Sequence, residues 1–121
     1  MGSSVLKDKS FLLAIRIVKL YKYLTEEKKE YVLAKQVLRS GTSVGANIRE
    51  AQNAESTKDF IHKLAIAQKE CDETLYWLEL LEAGQFLSME EFESINVQTI
   101  EVIKMLTSAL LSAKKKLIQK P

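Results

Sequence analysis

The chain has 121 residues, of which 46% are hydrophobic and 28% charged, and its 18 basic and 16 acidic side chains leave a formal net charge of +2. This length makes one domain with a single core. The near balance of charge excludes bulk attraction to nucleic acid, so a phosphate site has to come from local clustering.

Cys71 is the only cysteine, which excludes an intrachain disulfide and a cysteine-built zinc site. The single proline is at the C-terminus, so long uninterrupted elements can form. No apolar run reaches the length of a membrane span. The opening Met-Gly-Ser-Ser-Val-Leu-Lys-Asp-Lys lacks the form of a signal peptide, and Leu6 stands where a myristoylation signal needs Ser or Thr. The expected compartment is the reducing cytoplasm.

No stretch alternates with a period of two and no paired turn dipeptide occurs, so strands are not expected. Helical periodicity predicts helix 1 over about Asp8–Leu24. Its apolar arc runs from Leu20 through Ile17 to Phe11 and spans roughly 180°, against about 100° for a helix with one buried face. Helix 2 is predicted over about Lys29–Asn53. It crosses Arg39–Ala51, where two glycines, two serines and a threonine would ordinarily punctuate a chain. Yet Leu33, Val37, Val44, Ile48 and Ala51 stay on one face at about 100° per residue. A loop at residues 40–43 would break that register. Gly41 and Gly45 cost a helix about 1 kcal/mol each, and the expectation is that they let another backbone come close.

Ser56 and Asp59 form a capping-box-like start to helix 3. The helix should run to Ala83, with Gly84 as its C-cap. Its core face is Phe60, Leu64, Ala67, Cys71, Leu75 and Leu78, which makes Cys71 a buried small hydrophobe rather than a reactive thiol. Ser88 and Glu91 form a second capping box. Helix 4 then runs to about Leu117, with Phe92, Thr99, Ile103, Leu106, Leu110, Ala113 and Leu117 facing inward. Short connections make chain neighbours antiparallel. The expected fold class is all-α, an antiparallel up-down-up-down four-helix bundle forming a single domain over residues 1–121.

Ile66 and Trp77 share a face of helix 3 well away from its core stripe, with Glu70 and Glu73 between them. Flanking helices could cover them, but with a tryptophan involved an intersubunit contact is the stronger reading. A closed homo-oligomer follows. Catalytic constellations are missing. Carboxylate-bridged metal bundles need two Glu-x-x-His motifs. Here the only histidine is His62, within Asp59-Phe-Ile-His62 on the outer side of helix 3. A Ser/His/Asp triad would need the same histidine. Gly41-x-x-x-Gly45 has no strand before it and no Gly-Lys-Ser/Thr after it, so it is not a phosphate loop. No enzyme activity, cofactor or metal is expected.

Basic residues carry the remaining signal. Arg16, Lys19 and Lys22 recur at three-residue spacing with Tyr23 beside them. Lys35, Arg39 and Arg49 lie opposite the helix 2 core face, interrupted by Glu50. Lys114–Lys116 and Lys120 make a basic C-terminal end that also complements the helix dipole. As structure these are solvated polar faces. As function they neutralise phosphates without reading bases. An oligomeric scaffold that binds a protein partner is the alternative.

The chain resembles the 23S rRNA intervening-sequence protein family. The residues that carry this are Asp8–Phe11 and Ala14–Val18, the run Leu38–Ile48 with Glu50 and Ala51, then Ser56, Asp59, Phe60, Lys63, Leu64, Lys69, Glu70, Glu73, Thr74 and Tyr76–Leu78. Arg49 departs from the acidic or small residue common at that place, which makes this face more basic. The resemblance implies a four-helix bundle that assembles as a homo-oligomer, with a ring-like pentamer the expected form. It implies no catalytic residues. Some members are encoded within intervening sequences of rRNA genes, which suggests a link to RNA. Related accessory proteins of diversity-generating retroelements are basic barrels that bind a reverse transcriptase and nucleic acid, and the near-neutral charge sets this chain apart from them.

Overall fold

The computed structural model describes residues 2–119, with side chains from Val5 onward. Four helices follow one another: α1 Gly2–Glu26, α2 Val32–Gln52, α3 Thr57–Ala83 and α4 Met89–Gln119. No strand occurs among the described residues. Each helix packs on its chain neighbour, and α1 closes onto α4. Across every seam the contacts climb one helix as they descend the other. Arg39 reaches Glu70 while Glu50 reaches Lys63 between α2 and α3. Arg16 meets Ser94 while Lys9 meets Glu101 between α1 and α4. None of the helices is long and apolar enough to cross a membrane.

The core is one cluster drawn from all four helices. Leu13, Ile17, Leu24, Val37, Val44, Ile48, Leu64, Leu78, Leu81, Val102 and Leu106 are each no more than 1% exposed. The predicted stripes hold with small rotations. On α2, Ala34 is buried in place of Leu33, which is half-buried. On α3, Thr74 and Leu81 are buried while Phe60 and Leu75 are half-buried. On α4, Ile95 and Val102 displace Phe92, Ile103 and Leu117 to the half-buried margin.

Arg39–Ala51 is continuous helix, as its register requires. Its small residues serve contacts within the chain. A Cβ on Gly41 would lie 2.7 Å from Ile17 Cγ1 and 2.8 Å from Cγ2, so this glycine makes room for a side chain, not a backbone. Gly45 does lie against backbone, the Ser10 carbonyl of α1, with the nearest atoms at 3.5 Å from an added Cβ. Beside them the buried hydroxyls of Ser40 and Thr74 are 2.9 Å apart across the α2–α3 seam.

Helix ends divide into those anticipated and those not. Ser56 Oγ accepts the Asp59 N–H at 3.1 Å, while the Asp59 carboxylate accepts from the Glu55 N–H at 3.4 Å. Ser88 and Glu91 complete a reciprocal box, at 3.1 and 2.8 Å. By contrast α1 begins before Asp8, because Leu6 is buried and extends the core stripe. Helix α2 begins three residues after Lys29, which takes φ 56° in the connection and cannot be helical. There the Glu30 carboxylate accepts the Ala34 N–H at 3.0 Å and caps the first turn. Helix α4 runs two residues beyond the predicted Leu117.

Candidate functional site

The six predicted basic residues separate into two groups. Arg16 is tied into the α1–α4 seam. Its Nη1 donates to the Ser94 carbonyl at 3.1 Å and to Gln98 Oε1 at 3.0 Å, and its Nη2 donates to Ser94 Oγ at 3.0 Å. Arg39 spans the α2–α3 seam, donating to Glu70 at 3.0 Å and to Glu73. Glu73 also accepts the Trp77 indole N–H at 3.0 Å. That indole hydrogen bond is the largest cause holding the Glu73 carboxyl below its ordinary range; partial burial opposes it and the Arg39 guanidinium adds to it. Both arginines therefore have acceptors of their own.

Lys19, Lys22, Lys35 and Arg49 are exposed, and none of them takes part in the four ion pairs among the described residues. The antiparallel register of α1 on α2, set by Ile17 against Gly41 and Ser10 against Gly45, places Lys22 level with Lys35. Lys22 and Lys35 thus gather at one end of the α1–α2 side, with Lys19 at the same end on the α4 side of α1, while Arg49 stands near the other end. Two further cations join the first group, Lys28 and Lys29 in the exposed connection, with Lys28 Nζ 5.8 Å from the Tyr23 ring centroid. Sequence reading missed them because Glu26, Glu27 and Glu30 flank them, and only the connection's path turns both outward. Lys114–Lys116 are exposed at the end of α4, and Lys120 lies outside the described residues.

The longest stretch of acids without a basic residue lies at this same end, on the α3–α4 side of the bundle. No basic residue occurs between Lys69 and Lys104, a stretch that carries nine acidic ones. It forms the second half of α3, the connection and the first half of α4.

Ile66 and Trp77, the predicted interface pair, are half-buried. Trp77 packs on the core cluster and meets Tyr76 edge to face at 5.0 Å. Exposed apolar side chains cluster on the outer face of α1, where Phe11, Leu12, Ile15 and Val18 are 54, 52, 38 and 44% exposed. Patches of this kind mark contact surfaces more often than chance.

Among the grooves that the described residues form, two stand out. One of about 1090 Å³ lies at the end formed by the start of α1 and the end of α4, lined by Leu6, Ile48, Phe60, Leu64, Ser108 and Ser112. The other, of about 520 Å³, sets Arg16 and Lys19 opposite Glu90 and Glu91 beside Tyr23. His62 is exposed, and no group of three or more His, Cys, Asp or Glu among the described residues could hold a metal ion. Cys71 is fully buried, its thiol 3.6 Å from the Thr99 carbonyl, and burial pushes its pKa up to about 12, with Asp72 adding to the shift. At neutral pH it is a protonated core side chain, as its place in the stripe implied.

Comparison with known proteins agrees with this architecture. The family model described as 23S rRNA-intervening sequence protein matches residues 4–108. A crystal structure of a protein with unknown function from the S23 ribosomal protein family of Bacteroides thetaiotaomicron VPI-5482 is 55% identical. It superposes with a TM-score of 0.90, covering 91% of this chain and 98% of that one. No curated protein matches. The family model spans α1 to α3 and most of α4, including the Arg39–Ala51 run, and the chain therefore belongs to the 23S rRNA-intervening sequence protein family.

Proposed function

We propose that the protein is a non-enzymatic, cytoplasmic homo-oligomer, a pentameric ring, that binds RNA or another nucleic acid through its basic helix faces. The supporting observation is the set of exposed cations that take part in none of the ion pairs among the described residues, Lys19, Lys22, Lys35 and Arg49. Unpaired lysines and arginines neutralise phosphates and release counterions, and a ring repeats each set around its axis. Arg16 and Arg39 contribute only by giving up acceptors they already hold. Fluorescence anisotropy with a structured RNA over a salt series tests this reading. Affinity should fall by about 0.7 to 0.9 log units per log unit of salt for each phosphate contacted. No measurable affinity at low salt would remove nucleic acid from the proposal. The exposed Phe11, Leu12, Ile15 and Val18 would then favour a second reading, an oligomeric scaffold that binds a protein partner.

A further inference from the structure

Charge is unevenly distributed along the bundle. The antiparallel register gathers residues 5–13, 44–68 and 102–119 into one half of its length. That half carries nine basic and four acidic residues, whereas residues 14–43 and 69–101 carry eight basic and twelve acidic ones. The larger groove, of about 1090 Å³, lies in the basic half. Its origin is in the sequence of α2 and α4. Where these helices end, the residues that line it are small: Ala51 and Ala54 on one side, Ser108, Ala109, Ser112 and Ala113 on the other. Counted from Lys9 opposite Glu101, α4 also continues for roughly ten residues past the start of α1, so α1 leaves this end uncovered.

The groove is apolar below and cationic above. Leu6, Ile48, Ala51 and Leu64 line it and are no more than 3% exposed, with half-buried Phe60 and Met105 beside them. Lys7 and Lys116 line it as exposed side chains and take part in none of the four ion pairs among the described residues. Glu55 is the single acidic residue of its described lining. A lysine can lay its methylenes on such a surface while its ammonium stays in water. We propose that this groove binds a single-chain amphiphilic anion, an alkyl chain ending in a carboxylate. The carboxylate meets Lys116, and the chain runs over Leu64 toward Leu6 and Met105. From Met105 to Lys116 α4 rises by about 16 Å, room for an extended chain of about twelve carbons. The buried lining has no hydrogen-bonding side chain to pair the edge of a nucleobase, which favours an aliphatic occupant. A cleft in a positive field with exposed lysines at its edge favours a negative head group over a neutral one. The site needs neither nucleic acid nor a second copy of the chain.

Isothermal titration calorimetry of the full chain with monomeric octanoate, decanoate and dodecanoate tests the assignment. Affinity should rise by about fourfold for each methylene added, the effect of burying one, and level off once the chain outgrows the groove. Ser112→Phe places a large ring over the groove from an exposed position, so it should abolish decanoate binding while circular dichroism stays helical. Lys116→Glu should weaken decanoate by up to about fivefold and leave 1-decanol unchanged. Affinity that ignores chain length, or that survives Ser112→Phe in a folded protein, would overturn the groove as the site. Equal losses of decanoate and decanol in Lys116→Glu would overturn the contact with the head group. Binding to vesicles of anionic phospholipid without any uptake of free decanoate would overturn the assignment in favour of a membrane surface. RNA affinity enters none of these outcomes, so the nucleic-acid reading stands or falls separately.

Discussion

Two glycines in one helix turn of each other make opposite demands. At Gly41 a Cβ would sit under 3 Å from a stiff β-branched side chain that is itself fully buried, so Ile17 would have to move. Gly41→Ala should destabilise the fold by about 1–3 kcal/mol, the usual cost of overpacking. Gly45 would meet only ordinary contacts at 3.5 Å, so Gly45→Ala should raise stability by up to about 1 kcal/mol through helix propensity. Chemical denaturation of both variants checks the pair, and equal effects would contradict it. The α3 terminus offers a third case. Gly84 has φ −82° and does not use its freedom, whereas exposed Gln85 takes φ 70°. Phe86 N–H to Leu81 O and Gln85 N–H to Glu82 O complete a Schellman motif around it, at 2.9 and 3.0 Å. Gly84 is the C-cap, as read from the sequence, and the left-handed conformation that a glycine suits falls on the next residue. Gln85→Gly should therefore stabilise the protein by roughly 1 kcal/mol, the cost of the left-handed conformation for a side-chain residue.

At the scale of elements, the legible features were those with local causes. Both capping boxes, the end of α3 at Ala83 and the continuity of α2 through Arg39–Ala51 follow from hydroxyl, carboxylate and register patterns within a turn or two. The start of α2 was not legible, because Lys29 adopts positive φ with no glycine or asparagine to announce it. Nor could periodicity alone say which element would answer each charge. Arg39 lies opposite the core stripe in sequence and still finds Glu70 and Glu73, because α3 packs close enough for a long side chain to span the seam. That seam should respond to acid. Glu73 has its folded pKa depressed, so its contribution is present above the pKa of the unfolded chain and is lost as pH falls through the folded value. Trp77 donates to the same carboxylate, so its fluorescence should titrate below the ordinary glutamate range, and Glu73→Gln should abolish that titration while leaving the helices formed. A Trp77 signal flat through that range would detach the indole from Glu73.

For the whole molecule, the basic residues that look alike in sequence have different jobs, and stability separates them from binding. Arg16 closes α1 onto α4, the pair of helices furthest apart in the chain, through three hydrogen bonds to Ser94 and Gln98. Hydrogen bonds from a charged donor contribute about 1.5–3 kcal/mol where buried and less where water competes, as it does here. Arg16→Ala should cost about 1 kcal/mol, which lowers the melting temperature of a domain this size by about 4 °C. It should leave the salt dependence of RNA binding close to that of the wild type. Lys35 is exposed and unpaired, so Lys35→Ala should leave the melting temperature unchanged and reduce the salt slope by about 0.7 to 0.9, the share of one phosphate contact. Thermal melts and anisotropy titrations on the two variants give a crossed pattern if the division is right. If Arg16→Ala flattened the salt slope as much as Lys35→Ala, the seam arginine would be a phosphate ligand after all, and α1 would have to release α4 when nucleic acid binds.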